Sequence, residues 1–195
     1  MTQPLPSRLT EREYLALERE SDEKHELVDG QMVPLHFDPI TGMAGASREH
    51  NVIVGNVITA LGSALRASPC EVYPADMRVR ALQAPFYYPD ASVSCSPIIT
   101  LDELKNEILQ NPTLIVEVLS PSTESRDRGQ KAHDYRQLQS CTDYLIVSSR
   151  TVLVEHQLRS DQGWRLAEYG PGQTFPLSGL AISLSVDELY LKVFR

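Results

Sequence analysis

Cysteine is scarce in this chain. Cys70, Cys95 and Cys141 are its three cysteines; they stand far apart and form no C-x-x-C pair. An odd, scattered set argues against a disulfide framework or a thiolate zinc site, so reduced cysteines in a cytosolic chain are expected. Long apolar runs are missing too. None approaches the roughly 20 residues that span a bilayer, and no basic stretch leads into an apolar one near Met1–Pro6. The expected location is cytoplasmic, with no membrane partner. Positive charge is also short: 18 Lys and Arg against 26 Asp and Glu leave a net charge of −8. Such a surface does not attract polyanions in general. A nucleic acid would need a local basic cleft, or a basic groove assembled by a dimer. There is no G-x-x-x-x-G-K-[ST], G-x-G-x-x-G, H-E-x-x-H or G-x-S-x-G motif, so the chemistries those motifs build are not indicated. The five histidines have no ligand-like spacing.

What is present fits one compact domain over residues 1–195, at 42% hydrophobic and 23% charged. Thr10-Glu11-Arg12-Glu13 reads as a capping box opening a short helix. Asp29-Gly30 between His25–Val28 and Gln31–Leu35 is a two-residue hairpin signal. Phe37–Ala46 carries Pro39, Gly42 and Gly45 and reads as a loop. Val54, Val57, Ile58, Leu61 and Leu65 recur at helical spacing through Ser47–Arg66, with Ser47 as N-cap. Cys70–Leu82, Phe86–Cys95 and Thr113–Leu119 read as strands and Leu101–Leu109 as a short connecting helix. Arg126–Leu138 is a second substantial helix capped from Ser125 or Thr123. Strands follow at Asp143–Ser148, Val152–Leu158, Gly163–Tyr169 and Leu180–Leu184, with a last short helix at Val186–Tyr190. That order predicts a mixed α/β sheet, with one parallel crossover from Leu114 through Leu138 to Val147.

One acid stands out. Leu114, Ile115, Val116, Val118 and Leu119 form the apolar run of a strand buried on both faces, and Glu117 sits inside it. An ionised carboxylate there is costly unless it is paired or holds a metal. Asp90 follows Pro89 at the head of another strand-like run, so two neighbouring strands can bring two acids together. Alternation puts Ile115, Glu117 and Leu119 on one face. On the following helix Asp127, Lys131, Tyr135 and Leu138 form one stripe, and Tyr135 and Leu138 mark it as core-facing. Lys131 then points inward, which is unusual for lysine. Blander roles remain for each: Glu117 in a structural ion pair, Asp90 in a turn, Lys131 snorkelling to solvent, Glu26 as an ordinary hairpin acid. His50 lines a cleft or packs on its helix, and Arg126 and Arg128 meet a phosphate backbone or a solvated helix end.

Tyr88-Pro89-Asp90, then Val116-Glu117-Val118-Leu119-Ser120-Pro121-Ser122-Thr123, then Asp127, Lys131 and Tyr135 resemble a widespread family of putative restriction endonucleases. It is a branch of the PD-(D/E)XK nuclease superfamily. Glu26–Gly30, His50 and Gly163-Trp164-Arg165-Leu166 extend the resemblance over nearly the whole chain. The resemblance implies an α/β, restriction endonuclease-like fold: a four-stranded mixed β-sheet flanked by helices, with a Mg²⁺-dependent phosphodiesterase site at its edge. By position Asp90 and Glu117 become the metal ligands, for Mg²⁺ or alternatively Mn²⁺, and Glu26 an additional acid. The superfamily lysine follows the second acid two residues later on the same strand, where this chain has Leu119; Lys131 on the next helix becomes its match. The expected activity is metal-dependent hydrolysis of DNA by a homodimer. The alternative is a nuclease-fold module with weak or lost catalysis that binds nucleic acid or protein.

Overall fold

The computed structural model of the chain describes residues 8–35, 46–81, 86–103 and 106–194. Helix α1 (Glu11–Glu20) starts from the expected capping box: the Thr10 side chain accepts from the Glu13 backbone N–H, and the Glu13 carboxylate accepts from the Thr10 N–H at 2.8 Å. Strands β1 (His25–Val28) and β2 (Gln31–Pro34) pair antiparallel across Asp29-Gly30. Both turn residues take positive φ, 51° and 79°, as this tight hairpin turn demands. At Gly30 a Cβ would also come within 2.9 Å of the Arg8 side chain. The loop expected at Phe37–Ala46 lies almost wholly outside the described residues.

Helix α2 (Arg48–Ala64) is capped by Ser47, whose hydroxyl accepts from the His50 N–H. It lays Ile53, Val57 and Leu61 on one face of a six-stranded sheet. That sheet has the order β12-β11-β10-β9-β6-β3, built from β3 (Cys70–Pro74), β6 (Ala91–Cys95), β9 (Leu114–Val118), β10 (Asp143–Val147), β11 (Val154–Ser160) and β12 (Gly163–Tyr169). Only β9 and β10 run parallel; every other neighbouring pair in it is antiparallel. The expected crossover is therefore present. Strand β9 is buried on both faces: Leu114, Val116 and Val118 join the α2 core, while Ile115 and Leu119 join Ala132, Tyr135 and Leu138 on the other side.

The chain between β9 and β10 is helical from Glu124 to Gln137, as α3 (Glu124–Arg126), a wider π turn (Asp127–Lys131) and α4 (Ala132–Gln137). The single helix expected over Arg126–Leu138 is thus interrupted by a π turn and ends at Gln137. A second sheet, β2-β1-β5-β4-β8-β7, adds β4 (Arg78–Arg80), β5 (Phe86–Tyr87), β7 (Thr100–Glu103) and β8 (Asn106–Leu109). The four-stranded sheet of the resemblance is thus six-stranded here and has a six-stranded companion. A β13 (Thr174–Leu177) and β14 (Ile182–Ser185) pair and α5 (Val186–Leu189) close the α2 core.

Four expectations are corrected. Cys70–Leu82 is not one strand: β3 joins the central sheet and β4 the other. Phe86–Cys95 divides likewise at Tyr88-Pro89-Asp90 into β5 and β6, since Pro89 has no N–H for a ladder. The described residues of Leu101–Leu109 lie in the antiparallel strands β7 and β8, not a helix, because β8 finds a parallel partner in β4 and buries Ile108 and Leu109 completely; tertiary pairing outweighs a weak helical preference. Finally, Cys70 and Cys95 form a disulfide. They are direct partners on antiparallel β3 and β6, with Cα atoms 3.9 Å apart, a nearness that a sequence separation of 25 conceals. Cys141 alone is free, and it is buried.

Candidate active site

Strand pairing brings the two strand acids together. The β6–β9 ladder ends at Ala91 opposite Val116, so Asp90 stands just before β6 across from Glu117. One Asp90 oxygen, Oδ2, accepts from the Val118 N–H at 2.7 Å. The other, Oδ1, is 3.2 Å from His50 Nε2. His50 reaches it because the Ser47 cap fixes the first turn of α2. Asp90 is thus held from two elements, and the break at Pro89 is what turns it out of one sheet into the other.

Glu117 meets the crossover helix. Its Oε1 accepts from Lys131 Nζ at 2.9 Å and from the Tyr135 hydroxyl at 3.0 Å. Lys131 Nζ also lies 2.9 Å from Glu26 Oε1 and 3.5 Å from Asp127 Oδ1. Asp127, Lys131, Tyr135 and Leu138 are all buried, as the helical stripe predicts. The π turn spans Asp127 and Lys131, and such widened turns recur at functional sites. Glu26, on β1, accepts from the Tyr88 N–H at 3.2 Å and pairs through Oε2 with Arg126 at 2.6 Å. The two sheets and two helices therefore converge on one cluster. Glu26, His50, Asp90, Glu117, Arg126, Asp127 and Lys131 all border the same cavity of about 10 Å³, room for about one water. Leu35 and Thr123 complete part of its rim.

The charges in the cluster are unbalanced. Four carboxylates face the fixed cations of Lys131 and Arg126. Burial pushes the Glu117 carboxyl well above its ordinary value; Lys131 opposes this, and Asp127, Asp90 and Glu26 add to it. Asp127 is raised for the same first reason, against Lys131. Burial works against the Lys131 ammonium, yet Glu117, Glu26 and Asp127 hold its pKa well above the ordinary lysine value. His50 is likewise opposed by burial and raised by Asp90. Excess negative charge on hard oxygen donors suits a hard divalent cation such as Mg²⁺. Among the described residues no three His, Cys, Asp or Glu side chains already stand as a metal-holding group; Lys131 bridges two of the acids instead. The donor chemistry fits the cation.

All four sequence-derived residues, Glu26, Asp90, Glu117 and Lys131, meet in this cluster. Leu119, in the usual lysine position, is 4% exposed and packs in the core beneath α4. Two partners were not assigned to the site from sequence. Asp127 is its fourth acid, and its spacing of four from Lys131 was the available signal. Arg126 holds Glu26, which no spacing reveals. Arg128 leaves the cluster altogether and pairs with Glu124 and Glu155.

The chain superposes on the crystal structure of a putative nuclease of the DUF820 group from Anabaena variabilis with a TM-score of 0.74 at 17% identity, covering 95% of this chain and 99% of that one. Architecture and superposition together define a restriction endonuclease-like nuclease fold. Residues 12–187 match the family Uma2, described as "Putative restriction endonuclease", and the chain belongs to that family. It is also similar to two uncharacterized proteins of Synechocystis sp. The protein slr1290 is 35% identical over 189 residues, covering 96% of this chain and 93% of its own length. The protein sll1609 is 32% identical over 162 residues, covering 82% and 86%.

Proposed function

We propose that the protein hydrolyses phosphodiester bonds in DNA with a divalent cation, Mg²⁺ or Mn²⁺, held by Asp90 and Glu117. One observation carries this reading: four acids from separate elements, Glu26, Asp90, Glu117 and Asp127, converge on one cavity beside a buried lysine ammonium. When bound, the cation supplies an activated water and offsets phosphate charge. The protein's own groups do the rest. His50 and the Val118 N–H fix the Asp90 carboxylate. Tyr135 fixes Glu117. Lys131 orients the attacking water and counters the charge that builds on the phosphorus centre. Glu26 anchors Lys131 from the far side, and Arg126, a quarter exposed, faces the incoming phosphate. Cutting both strands takes two such sites, so the proposal includes a homodimer that pools the cations of a net acidic chain.

Plasmid nicking in Mg²⁺ or Mn²⁺ tests the reading. Activity that chelation removes, and that Asp90→Ala, Glu117→Ala and Lys131→Ala each remove from folded protein, is expected; nicking that survives in all three variants would reject it. The bridging position of Lys131 favours a second reading, a nuclease-fold binding module whose acids are neutralised by lysine. In that case neither cation raises the melting temperature of the wild type.

A further inference from the structure

A second pocket, of about 230 Å³, lies on the other flank of the segment that carries Lys131. Ser120, the Ser148–Thr151 turn, Glu124 and Arg128 wall it. Strands β9 and β10 run parallel in register, so Ser120 and Ser148 emerge together at their C-terminal ends, the side where open α/β sheets take ligands. The two pockets share one helical segment on alternating positions. Thr123, Arg126 and Asp127 border the acidic cavity, and Glu124 and Arg128 border this one. Along the chain Ser120 is three residues beyond Glu117, just past the end of β9.

The two pockets differ in charge. The first is an excess of carboxylates; the second is rich in donors. Its walls carry the hydroxyls of Ser120, Ser148, Ser149 and Thr151 and two guanidinium groups; Ser120 is already bonded to Ser122 and Thr123, and Ser148 to Thr151. Arg128 is already paired with Glu124 and Glu155. Arg150 is exposed and has no carboxylate partner among the described residues. Ser148 Oγ accepts from the Arg150 and Thr151 N–H groups, each at 3.2 Å, which holds the turn in shape before any ligand arrives. Hydroxyls and a free guanidinium around a concave surface are the donors that fix a phosphate without reading sequence.

We propose that this pocket seats a backbone phosphate of the DNA strand adjacent to the one cut at the acidic cluster, with Arg150 as the main contact. This assignment rests on the nuclease reading. Arg150 is a binding residue here, not a catalytic one. Its replacement removes an exposed side chain, so the Arg150→Ala variant keeps the wild-type melting temperature.

Fluorescence anisotropy with a short DNA duplex in chelator, across a salt series, is the first measurement. Arg150→Ala should bind several-fold more weakly, and the slope of log K against log salt should fall by about 1. In cleavage, KM should rise by a similar factor with kcat kept. The second measurement follows backbone amides 148–151 by NMR during titration with inorganic phosphate, in wild type and Arg150→Ala. Shifts that vanish in the variant, beside the KM effect, support the assignment. If wild type cuts DNA and Arg150→Ala matches it in KM and salt slope, the subsite is wrong and the nuclease reading stands. If phosphate moves those amides but the protein neither binds nor cuts DNA, the strand assignment is overturned together with the nuclease reading, leaving free phosphate as occupant.

Discussion

Lys131 approaches Glu117 from the crossover helix, with Nζ 2.9 Å from Oε1, although it is fourteen positions away in the chain. The same ammonium holds Glu26 from the second sheet. This one side chain ties the two sheets and the helix segment together, so the cluster is structural as well as chemical.

Removing that ammonium leaves buried carboxylates without a counter-charge. Lys131→Met should therefore cost about 3–5 kcal/mol of stability. Urea unfolding measures it. Mg²⁺ or Mn²⁺ should recover part of the loss, because a cation can take over the vacated charge balance. A variant as stable as wild type would mean that the ion pairs contribute nothing.

Stability should depend on pH through Glu117. Burial and three neighbouring carboxylates hold its proton above the ordinary 4.5, against Lys131. The folded chain keeps that proton longer than the unfolded chain does. Its contribution is then whole below pH 4.5 and drains away as pH climbs through the folded value. Glu117→Gln cannot ionise, so its stability should be flatter than wild type above about pH 4.5. Parallel curves for the two proteins would count against the shift.

Tyr135 offers a gentler probe of the same group. Its hydroxyl donates to Glu117 Oε1 at 3.0 Å. Tyr135→Phe keeps the ring in the core and deletes that bond, at a cost of about 0.5–1.5 kcal/mol. Thermal or urea unfolding reads the difference.

The helix that carries His50 depends on its cap. Ser47→Ala removes the acceptor for the His50 N–H and should cost about 1 kcal/mol. The His50–Asp90 contact should loosen with it. A drop in cleavage larger than the drop in folded fraction, measured below the melting transition, would report that loosening.

Thiol counting checks the disulfide. Burial pushes the Cys141 thiol up to about 12, so the native protein should resist alkylation. Unfolding without reductant should expose Cys141 alone, and reduction should release Cys70 and Cys95 as well. Mass spectrometry distinguishes the three cases. Labelling of all three cysteines without reductant would show the bond absent. The raised thiol also predicts a loss of stability, on the order of 4 kcal/mol, as pH rises from 9 toward 12.

Some of this was legible in the residues. The apolar run around Glu117 declared a strand buried on both faces and an acid in need of a partner. The four-residue spacing from Asp127 to Lys131 declared an inward-facing pair. Asp29-Gly30, the Thr10 box and the Ser47 cap fixed local turns and helix starts, because those depend on neighbours in sequence. Long-range pairing was not legible. The region around Leu101–Leu109 reads as helical from its neighbours alone, and only pairing with β4 makes it a strand; Cys70 and Cys95 read as unrelated, and only the β3–β6 ladder joins them.

The sequence by itself determined which side chains are too polar for their surroundings and must find company: Glu117, Asp90, Lys131. Periodicity and local capping carry that information, since both act over a few residues. Only the tertiary structure decided who the company is. Asp127 entered the cluster through the π turn, Arg126 through the end of α3 just before it, Glu26 through a second sheet, and His50 through the first turn of α2. Those meetings depend on how strands and helices stack in space, which nearest-neighbour chemistry does not encode.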